Sequence, residues 1–409
     1  MKDELMAVPE ISLSNQPADM RLHILLAKVR LSSSEMDQAR DLLGHVQSWS
    51  AFTDVARRNF SLPLLRFHLS RIDGIEVPED IWNEIQKQAN DTAFYNMRMI
   101  AAQKRFRDMC LASNGVDGVF FKGVNMAVRF YGDAGLRPCR DIDVLVPPDT
   151  IRTVLQKAVD TGYVPVSPEA RPIPIKSERD IDAVLRFGES VTLVTPEGVV
   201  IDLQDRLDKH SGIFSQFDVF AQSVPSDVGG TRFQTLPTAF LFNYLCHHHT
   251  RHTWSRLHWL SDLDAICTSE HFDQDETLSL SETLGQSGTV KASLELRQLM
   301  STDTVWDDSA DMSHGKTFLK LSILNLPGDL ALEKKLGMQM IGGEFMYRWQ
   351  ARPDLITKAR RGWWRTLLQP TVSHYARMPL PRALQWLYVY PRLADIVYRT
   401  IKRVRPIKR

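Results

Sequence analysis

Two apolar stretches joined by a short helical segment most constrain the fold of this 409-residue chain. The first, residues 119–123, ends in Lys-Gly; the second, residues 141–146, opens with Asp-Ile-Asp and continues with three apolar residues. Side chains alternate along a strand, so Asp141 and Asp143 are expected on the same face. Adjacent carboxylates repel each other, and such a pair is typical of places where a cation binds between them. Mg²⁺ takes one or two carboxylates together with substrate phosphates.

An isolated Asp-x-Asp is also typical of turns and of solvated strand ends. Here the surrounding sequence favours a metal site, because the apolar residues after Asp143 predict a buried strand with the carboxylates where it begins. Lys122 and Gly123 follow the first apolar stretch at a strand-to-helix turn. Free backbone N–H groups and the helix dipole favour phosphate at such a turn.

The spacing of these residues resembles the signature of the uncharacterised nucleotidyltransferase family, a branch of the DNA polymerase beta superfamily. The matching positions are Lys122-Gly123, Tyr131, Arg137-Pro138 and Asp141-Ile142-Asp143-Val144-Leu145-Val146. The superfamily also needs a third carboxylate on a later strand, and Asp202 within residues 199–204 fits that position. The family often has a histidine two residues further on, where this chain has Gln204. Arg140 is also unusual, because a small residue commonly precedes the first Asp.

The resemblance implies metal-dependent transfer of a nucleoside monophosphate from a nucleoside triphosphate to an unidentified acceptor. The implied ligands of Mg²⁺ or Mn²⁺ are Asp141, Asp143 and Asp202. Asp202 would also orient or deprotonate the nucleophile. Gly123 would let the backbone approach the triphosphate, while Lys122 and Arg137 would neutralise its charge.

A competing interpretation is a protein that keeps this fold without turnover. It would bind nucleotides or act as a scaffold in envelope polysaccharide or peptide modification at the membrane. The presence of all three carboxylates argues against this interpretation. The acceptor is not readable from the sequence under either one.

The resemblance and the hydrophobic periodicity together predict an α+β fold, with a small nucleotidyltransferase-type α/β core and a mixed sheet between helical regions. The predicted division is a helical N-terminal region at 1–113, the core at 114–236, a helical C-terminal region at 237–357 and a basic aromatic tail at 358–409. The predicted strands are 118–122, 141–147, 185–194, 198–204 and a short one near 232–236. Prolines predict a loop at 164–176 and a turn at 225–230.

Composition is that of an ordinary soluble globular protein, with 43% apolar and 24% charged residues. The net charge of +1 argues neither for nor against nucleic acid, and there is no specific nucleic-acid signal. The four cysteines form no Cys-x-x-Cys pair, which predicts free thiols in a reducing cytoplasm. A cytoplasmic location is expected, because neither a signal peptide nor a run of 18 apolar residues is visible.

Charge is distributed unevenly along the chain. Residues 358–409 hold thirteen Lys and Arg and one acid, a formal charge of +12, which leaves −11 for the rest. Trp386 and four of the nine tyrosines also lie there, and apolar positions from 393 to 404 follow helical spacing. A basic, aromatic, amphipathic segment predicts peripheral contact with an anionic membrane, at its inner face. The alternative, left open by the sequence, is that these residues pack on the helical body.

Histidines are concentrated in the helix predicted to begin at Pro237. His248 and His252 have the i,i+4 spacing of a zinc pair, but two further ligands at a characteristic distance are missing from the sequence. The family has a similar helix followed by Trp-Leu-x-Asp, here residues 259–262. Two roles stay open: His248 or Asp262 lies near the acceptor, or His and Asp form hydrogen bonds where two regions meet. The second role is the one favoured.

Overall fold

The computed structural model describes residues 11–168, 170–188, 190–208, 212–301, 313–329 and 368–404. It also describes positions 332, 333, 336, 354, 357, 358, 361, 362 and 364. Within these residues one seven-stranded mixed sheet has the order β3-β4-β5-β2-β1-β7-β6. Helices precede and follow it, so the predicted α+β class and the mixed sheet are confirmed.

In the described residues from 11 onward, five α-helices precede the sheet: α1 (Ala18–Leu25), α2 (Ser33–Leu43), α3 (Trp49–Arg58), α4 (Leu62–Leu69) and α5 (Glu79–Phe106). Local signals explain where several of them begin. Ser32 and Glu35 form a capping box at α2, and the Ser48 hydroxyl accepts the backbone N–H of Ala51 at α3. The chain continues from α5 through a π-helical turn and a 3₁₀ turn to Gly115, whose positive φ of 65° ends the helix.

The strands are β1 (Val119–Phe120), β2 (Ile142–Leu145), β3 (Val164–Val166), β4 (Val191–Val194), β5 (Val200–Gln204), β6 (Val224–Val228) and β7 (Thr231–Thr235). Between them lie α6 (Val124–Met126), α7 (Ile151–Asp160) and α8 (Glu178–Phe187). Strand β2 is central and wholly buried, with β1 antiparallel on one side and β5 parallel on the other. This pairing brings the end of β1 beside the beginning of β2.

Two predictions about strands were wrong for the same reason. The predicted loop at 164–176 contains β3, and the predicted turn at 225–230 overlaps β6, although Pro165 and Pro225 lie within them. Both are the edge strands of the sheet. A proline that lacks an N–H donor is tolerated at an edge, where one side of the strand needs no partner.

The predicted strand at 185–194 is only partly correct, because residues 178–187 form helix α8 and the strand begins at Val191. A capping box between Ser177 and Asp180 starts this helix. Its buried face includes Ile181, Val184 and Phe187, which follow helical spacing. The short apolar run at the end of α8 was mistaken for the beginning of the strand.

After the sheet come α9 (Thr238–Arg251), α10 (Leu257–Cys267), α11 (Gln274–Leu284), α12 (Ser287–Leu299), α13 (His314–Asn325), α14 (Val372–Arg377), a 3₁₀ turn (Arg382–Tyr388) and α15 (Val389–Val404). Two consecutive phenylalanines enter different clusters of the core: Phe120 of β1 packs on Phe233, and Phe121, just after β1, packs on Tyr244 of α9.

Three further sequence predictions concern the whole chain. All strands that the structure describes lie between Val119 and Thr235, inside the predicted core at 114–236. The division of the chain into four regions stays a prediction. All four cysteines are free thiols, as predicted. Within the described ranges, none of the helices has the length and apolar character that crossing a membrane requires.

Candidate functional site

Three predicted carboxylates meet at one cavity. The parallel register of β2 and β5 places Asp143 directly opposite Asp202. Asp141, just before β2, lies on the same side of the strand as Asp143 because side chains alternate. All three line a cavity of about 560 Å³ that also reaches helices α9 and α10. Residues that are far apart in sequence therefore form one acidic wall.

Lys122 neutralises part of this wall. Its ammonium Nζ lies 2.9 Å from Asp143 Oδ1, and both side chains are largely buried. Burial raises the pKa of Asp143 to about 7; the Lys122 charge opposes the rise, and the carboxylates of Asp141 and Asp202 add to it. Burial lowers the pKa of Lys122, but the Asp143 carboxylate and other neighbours more than offset this, so the pKa is raised. The site therefore holds a charged lysine beside a carboxyl that titrates near neutral pH.

Asp202 is held by hydroxyl groups on its own side of the sheet. Ser190 Oγ donates to Asp202 Oδ1 at 2.9 Å, and Thr192 Oγ1 donates at 3.1 Å. Burial raises the pKa of Asp202, Asp141 adds to the rise, and these hydroxyl donors oppose it. Gln204, at the position where the family often has histidine, places its amide Nε2 3.3 Å from Asp143 Oδ1 and 3.5 Å from Asp202 Oδ2. A neutral amide thus joins the two carboxylates without adding charge.

Gly123 is required by the close approach of two backbone segments. Its φ is +59°, and a Cβ atom there would lie only 2.8 Å from the carbonyl oxygen of Asp141. Only glycine, which has no Cβ atom, can adopt this φ angle and allow the two backbone segments to lie this close. The residue therefore lets the turn after β1 lie against the beginning of β2, which brings Lys122 to the carboxylates.

Arg137 is bound to Asp262 beneath the cavity. Its Nε and Nη2 donate to the two oxygens of Asp262 at 2.6 and 2.9 Å, and the hydroxyl of Tyr131 donates to Oδ1 at 2.7 Å. Arg137 is 7% exposed and Asp262 is fully buried. Tyr131 and Arg137 of the family signature therefore tie the core to helix α10, which is the junction role favoured for Asp262. Arg137 still lines the cavity, but most of its hydrogen-bonding capacity is used.

The histidines divide between the cavity and this junction. His248 lines the cavity, stacks on Tyr244 and lies 4.8 Å from the His252 ring. Burial lowers the pKa of His248 well below its usual value, with Lys122 adding to the effect, so the ring is neutral. His249 stacks on Trp259, and its Nε2 lies 3.9 Å from Asp262. Asp262 therefore has the second of the two roles left open, and proximity of His248 to the acceptor stays a prediction.

Several cavity residues were missed by the sequence reasoning. Arginine side chains that line it are Arg140, Arg206, Arg251 and Arg256, with the aromatic rings of Phe60 and Trp259. The Arg140 guanidinium lies 5.6 Å from the Phe60 ring centre. Arg140 was noticed only as an unusual residue before the first Asp. Trp259 belongs to the Trp-Leu-x-Asp motif and Arg256 lies shortly before it, but only the fold shows that both line the cavity. Phe60, Arg206 and Arg251 belong to no motif, so no spacing signal could have found them.

The donor set suits a hard divalent cation in its chemistry, because Mg²⁺ and Mn²⁺ prefer carboxylate oxygens. The three carboxylates are not already arranged around a single position that a metal ion could occupy. Among the described residues, no group of three or more His, Cys, Asp or Glu is arranged to hold a metal ion. The arrangement therefore suits a cation that uses one or two of these carboxylates and completes its coordination with substrate phosphates.

Comparison with known proteins supports the resemblance in the signature. Residues 45–301 match the sequence model of the family described as uncharacterised nucleotidyltransferase. No curated protein matches the chain. A similar solved structure is that of an antigenic nucleotidyltransferase-like protein from Paracoccidioides brasiliensis, 14% identical, covering 50% of this chain and 91% of that one with a TM-score of 0.26. Similarity at that level supports no inference about fold or activity.

The family match spans more than half of the 409 residues. It contains the acidic wall, Lys122 and the buried contact between Arg137 and Asp262. The chain therefore belongs to the uncharacterised nucleotidyltransferase family.

Proposed function

We propose that this protein is a metal-dependent nucleotidyltransferase that moves a nucleoside monophosphate from a nucleoside triphosphate to an unidentified acceptor. The observation that carries the proposal is the register of Asp143 with Asp202, with Lys122 bound to Asp143 at the same cavity. Carboxylates paired in this way in a partly closed cavity suit phosphoryl transfer, which depends on positioning and on neutralising charge.

Asp143 and Asp202, with Asp141 beside them, would hold Mg²⁺ or Mn²⁺. The bound metal would stabilise negative charge on the phosphoryl group being transferred. Lys122 now balances the charge of Asp143. Once a cation takes over that carboxylate, the Lys122 ammonium becomes available to the triphosphate. Asp202, whose pKa is raised by burial, would orient the acceptor or accept its proton.

The arginines at the cavity would bind the remaining negative charge. Arg140 and Arg251 are exposed side chains at its rim. Arg137 remains a proposed contact of the triphosphate. Its Nε and Nη2 donate to Asp262, and its Nη1 donates to Cys139 Sγ at 3.7 Å, so a phosphate contact through Nη1 would compete with this weak sulfur acceptor. The Gly123 backbone would lie close to the same phosphates, because Gly123 itself lines the cavity at the turn after β1.

The test is transfer of label from nucleoside triphosphates labelled at the α or at the γ phosphate, with Mg²⁺ and a cell extract as the source of acceptor. Transfer of the α label into a larger product, with no transfer of the γ label, supports the proposal. Nucleotide binding without transfer of either label would instead favour the non-catalytic nucleotide-binding or scaffold alternative.

Replacing Lys122 by Ala should weaken the binding of Mg²⁺-nucleotide by about tenfold or more, because a buried ammonium next to phosphate is lost. The thermal midpoint should change little, since Asp143 can take up a proton when its partner is removed. Isothermal titration with a non-hydrolysable nucleotide and thermal unfolding measure the two effects. A lowered midpoint with unchanged nucleotide affinity would show that Lys122 is structural.

Metal binding should strengthen as the pH rises through 7. A cation competes with the proton on Asp143, whose pKa is about 7. The carboxyl is about one-tenth ionised at pH 6 and about nine-tenths at pH 8, so the apparent Mn²⁺ affinity should rise about tenfold over that interval. Titration of Mn²⁺ at both pH values, followed by electron paramagnetic resonance, measures the change. Equal affinities at pH 6 and pH 8 would contradict a metal role for Asp143.

A further inference from the structure

In the part of helix α15 whose side chains the structure describes, residues 389–398, Asp395 faces the protein and several large apolar side chains face solvent. The Asp395 carboxylate lies 3.3 Å from Nε2 of the buried His374 and 3.8 Å from Arg377 Nη1, both in α14. On the other side, Tyr390, Leu393 and Val397 are 60%, 43% and 56% exposed. An amphipathic helix that only completes the core of a globular protein would bury the apolar side.

The segment before α15 fixes this orientation. Tyr375 and Tyr388 are buried against Phe187 of α8. The Tyr388 hydroxyl donates to the Met378 carbonyl at 2.7 Å and accepts the Leu380 N–H at 2.8 Å. Packing on the protein, one of the two possibilities that the sequence left open, therefore holds for the chain around Tyr388, whereas several apolar side chains of α15 are exposed. Membrane contact stays a prediction.

We call the exposed apolar surface the outward face. It consists of Leu384, Trp386, Tyr390, Leu393, Val397 and Tyr398. Tyr390, Leu393 and Val397 follow helical spacing within α15, and the Trp386 ring of the preceding 3₁₀ turn lies 6.3 Å from the Tyr390 ring, so these side chains are neighbours on one surface. Contiguous apolar surfaces of this kind mark sites of protein or membrane interaction.

We propose that the outward face docks on an anionic membrane surface, with α15 lying in the plane of the interface. Charge decides between this partner and a second copy of the chain. Residues 358–409 carry a formal charge of +12, with exposed Arg377 and Arg382 close to α15, so two copies meeting through this surface would repel each other. An anionic leaflet attracts the same charge.

Composition agrees with a lipid interface. Trp386, Tyr390 and Tyr398 combine an apolar ring with a polar atom, and such residues settle at the boundary between headgroups and acyl chains. Asp395 and Arg392 within α15 suit a helix that lies on a membrane and not one that crosses it. The outward face shares no residue with the acidic wall, so this proposal does not depend on nucleotidyl transfer.

The test is sedimentation with vesicles of phosphatidylglycerol mixed with phosphatidylcholine and with vesicles of phosphatidylcholine alone. The full chain should sediment with the anionic vesicles at low salt, stay in the supernatant with the neutral ones, and be released by about 0.5 M NaCl. In a triple variant, Tyr390→Ser, Leu393→Ser and Val397→Ser are combined. Its affinity for the anionic vesicles should fall by about tenfold or more. These side chains are exposed, so the fold should survive, which circular dichroism verifies.

The matched control is Phe94→Ser with Met97→Ser, which removes two apolar side chains of α5 that are 67% and 62% exposed. This control should bind like the unmodified chain. Failure of the full chain to sediment with anionic vesicles at low salt would overturn the proposal, as would equal binding by the triple variant. Self-association that the triple variant abolishes, without vesicle binding, would assign the outward face to a second copy instead.

Discussion

Replacing Asp143 by Asn should reduce nucleotidyl transfer by about a thousandfold or more, while the protein stays folded. Asparagine has nearly the same shape but removes the negative charge that a divalent cation needs. It also releases Lys122 from its 2.9 Å ion pair, although the neighbouring Asp141 still favours the charged ammonium. Rates of α-label transfer, together with thermal unfolding, measure the two effects. Near-normal turnover with unchanged metal affinity would show that Asp143 is not a ligand.

The same change at the other carboxylates tests whether the wall acts as one site. Asp141→Asn and Asp202→Asn should each impair transfer strongly, because both line the cavity with Asp143. Asp205→Asn is the matched control: it makes the same chemical change just beyond β5, where the carboxylate pairs with Arg206. The control should transfer normally. Loss of activity in the control to the same extent would mean that any charge change near β5 is harmful.

Replacing Asp262 by Asn should lower the free energy of unfolding by about 3–5 kcal/mol. Asp262 is fully buried and accepts from Arg137 and Tyr131, so losing its charge leaves a buried guanidinium without its counter-ion. Urea unfolding followed by tryptophan fluorescence measures the change. A loss below about 1 kcal/mol would mean that the ion pair contributes little to joining the sheet region and α10.

A double variant separates stability from nucleotide binding. Arg137→Met combined with Asp262→Leu replaces the buried ion pair by apolar side chains, which is often close to neutral for stability. We expect it to recover most of the stability lost in Asp262→Asn. If Arg137 also contacts the triphosphate, the double variant should still bind Mg²⁺-nucleotide more weakly than the unmodified chain. Unchanged nucleotide affinity in a stable double variant would restrict Arg137 to its structural contact.

The parts of the site that sequence could predict are those carried by local spacing. Lys122, Gly123 and the Asp-x-Asp pair lie within one short signature. Because β1 and β2 pair antiparallel, the end of β1 lies beside the beginning of β2. Asp202 was found because an apolar strand surrounds it. Its direct pairing with Asp143 in the sheet could not be predicted, since the register of parallel strands depends on how the whole sheet assembles.

Other features depend on long-range packing and left no local signal. Phe60 lines the cavity from the loop after α3, Arg251 from the last residue of α9 and Arg256 from the residue before α10. Arg137 has the chemistry of a phosphate ligand in the sequence, and only the fold shows that Asp262 binds it. The direction of the apolar side of α15 is likewise set by contacts of Asp395 and Tyr388 with the body.

The central claim is that the acidic wall and Lys122 form one site for metal and nucleotide. Electron paramagnetic resonance of Mn²⁺, with a nucleoside triphosphate analogue that has a non-hydrolysable α–β bridge, tests this without knowledge of the acceptor. At pH 8 we expect nucleotide to strengthen Mn²⁺ binding by the unmodified chain and by Asp205→Asn. Asp143→Asn and Asp202→Asn should lose most of this binding. Equal Mn²⁺-nucleotide binding by all four proteins, each verified as folded, would contradict the claim.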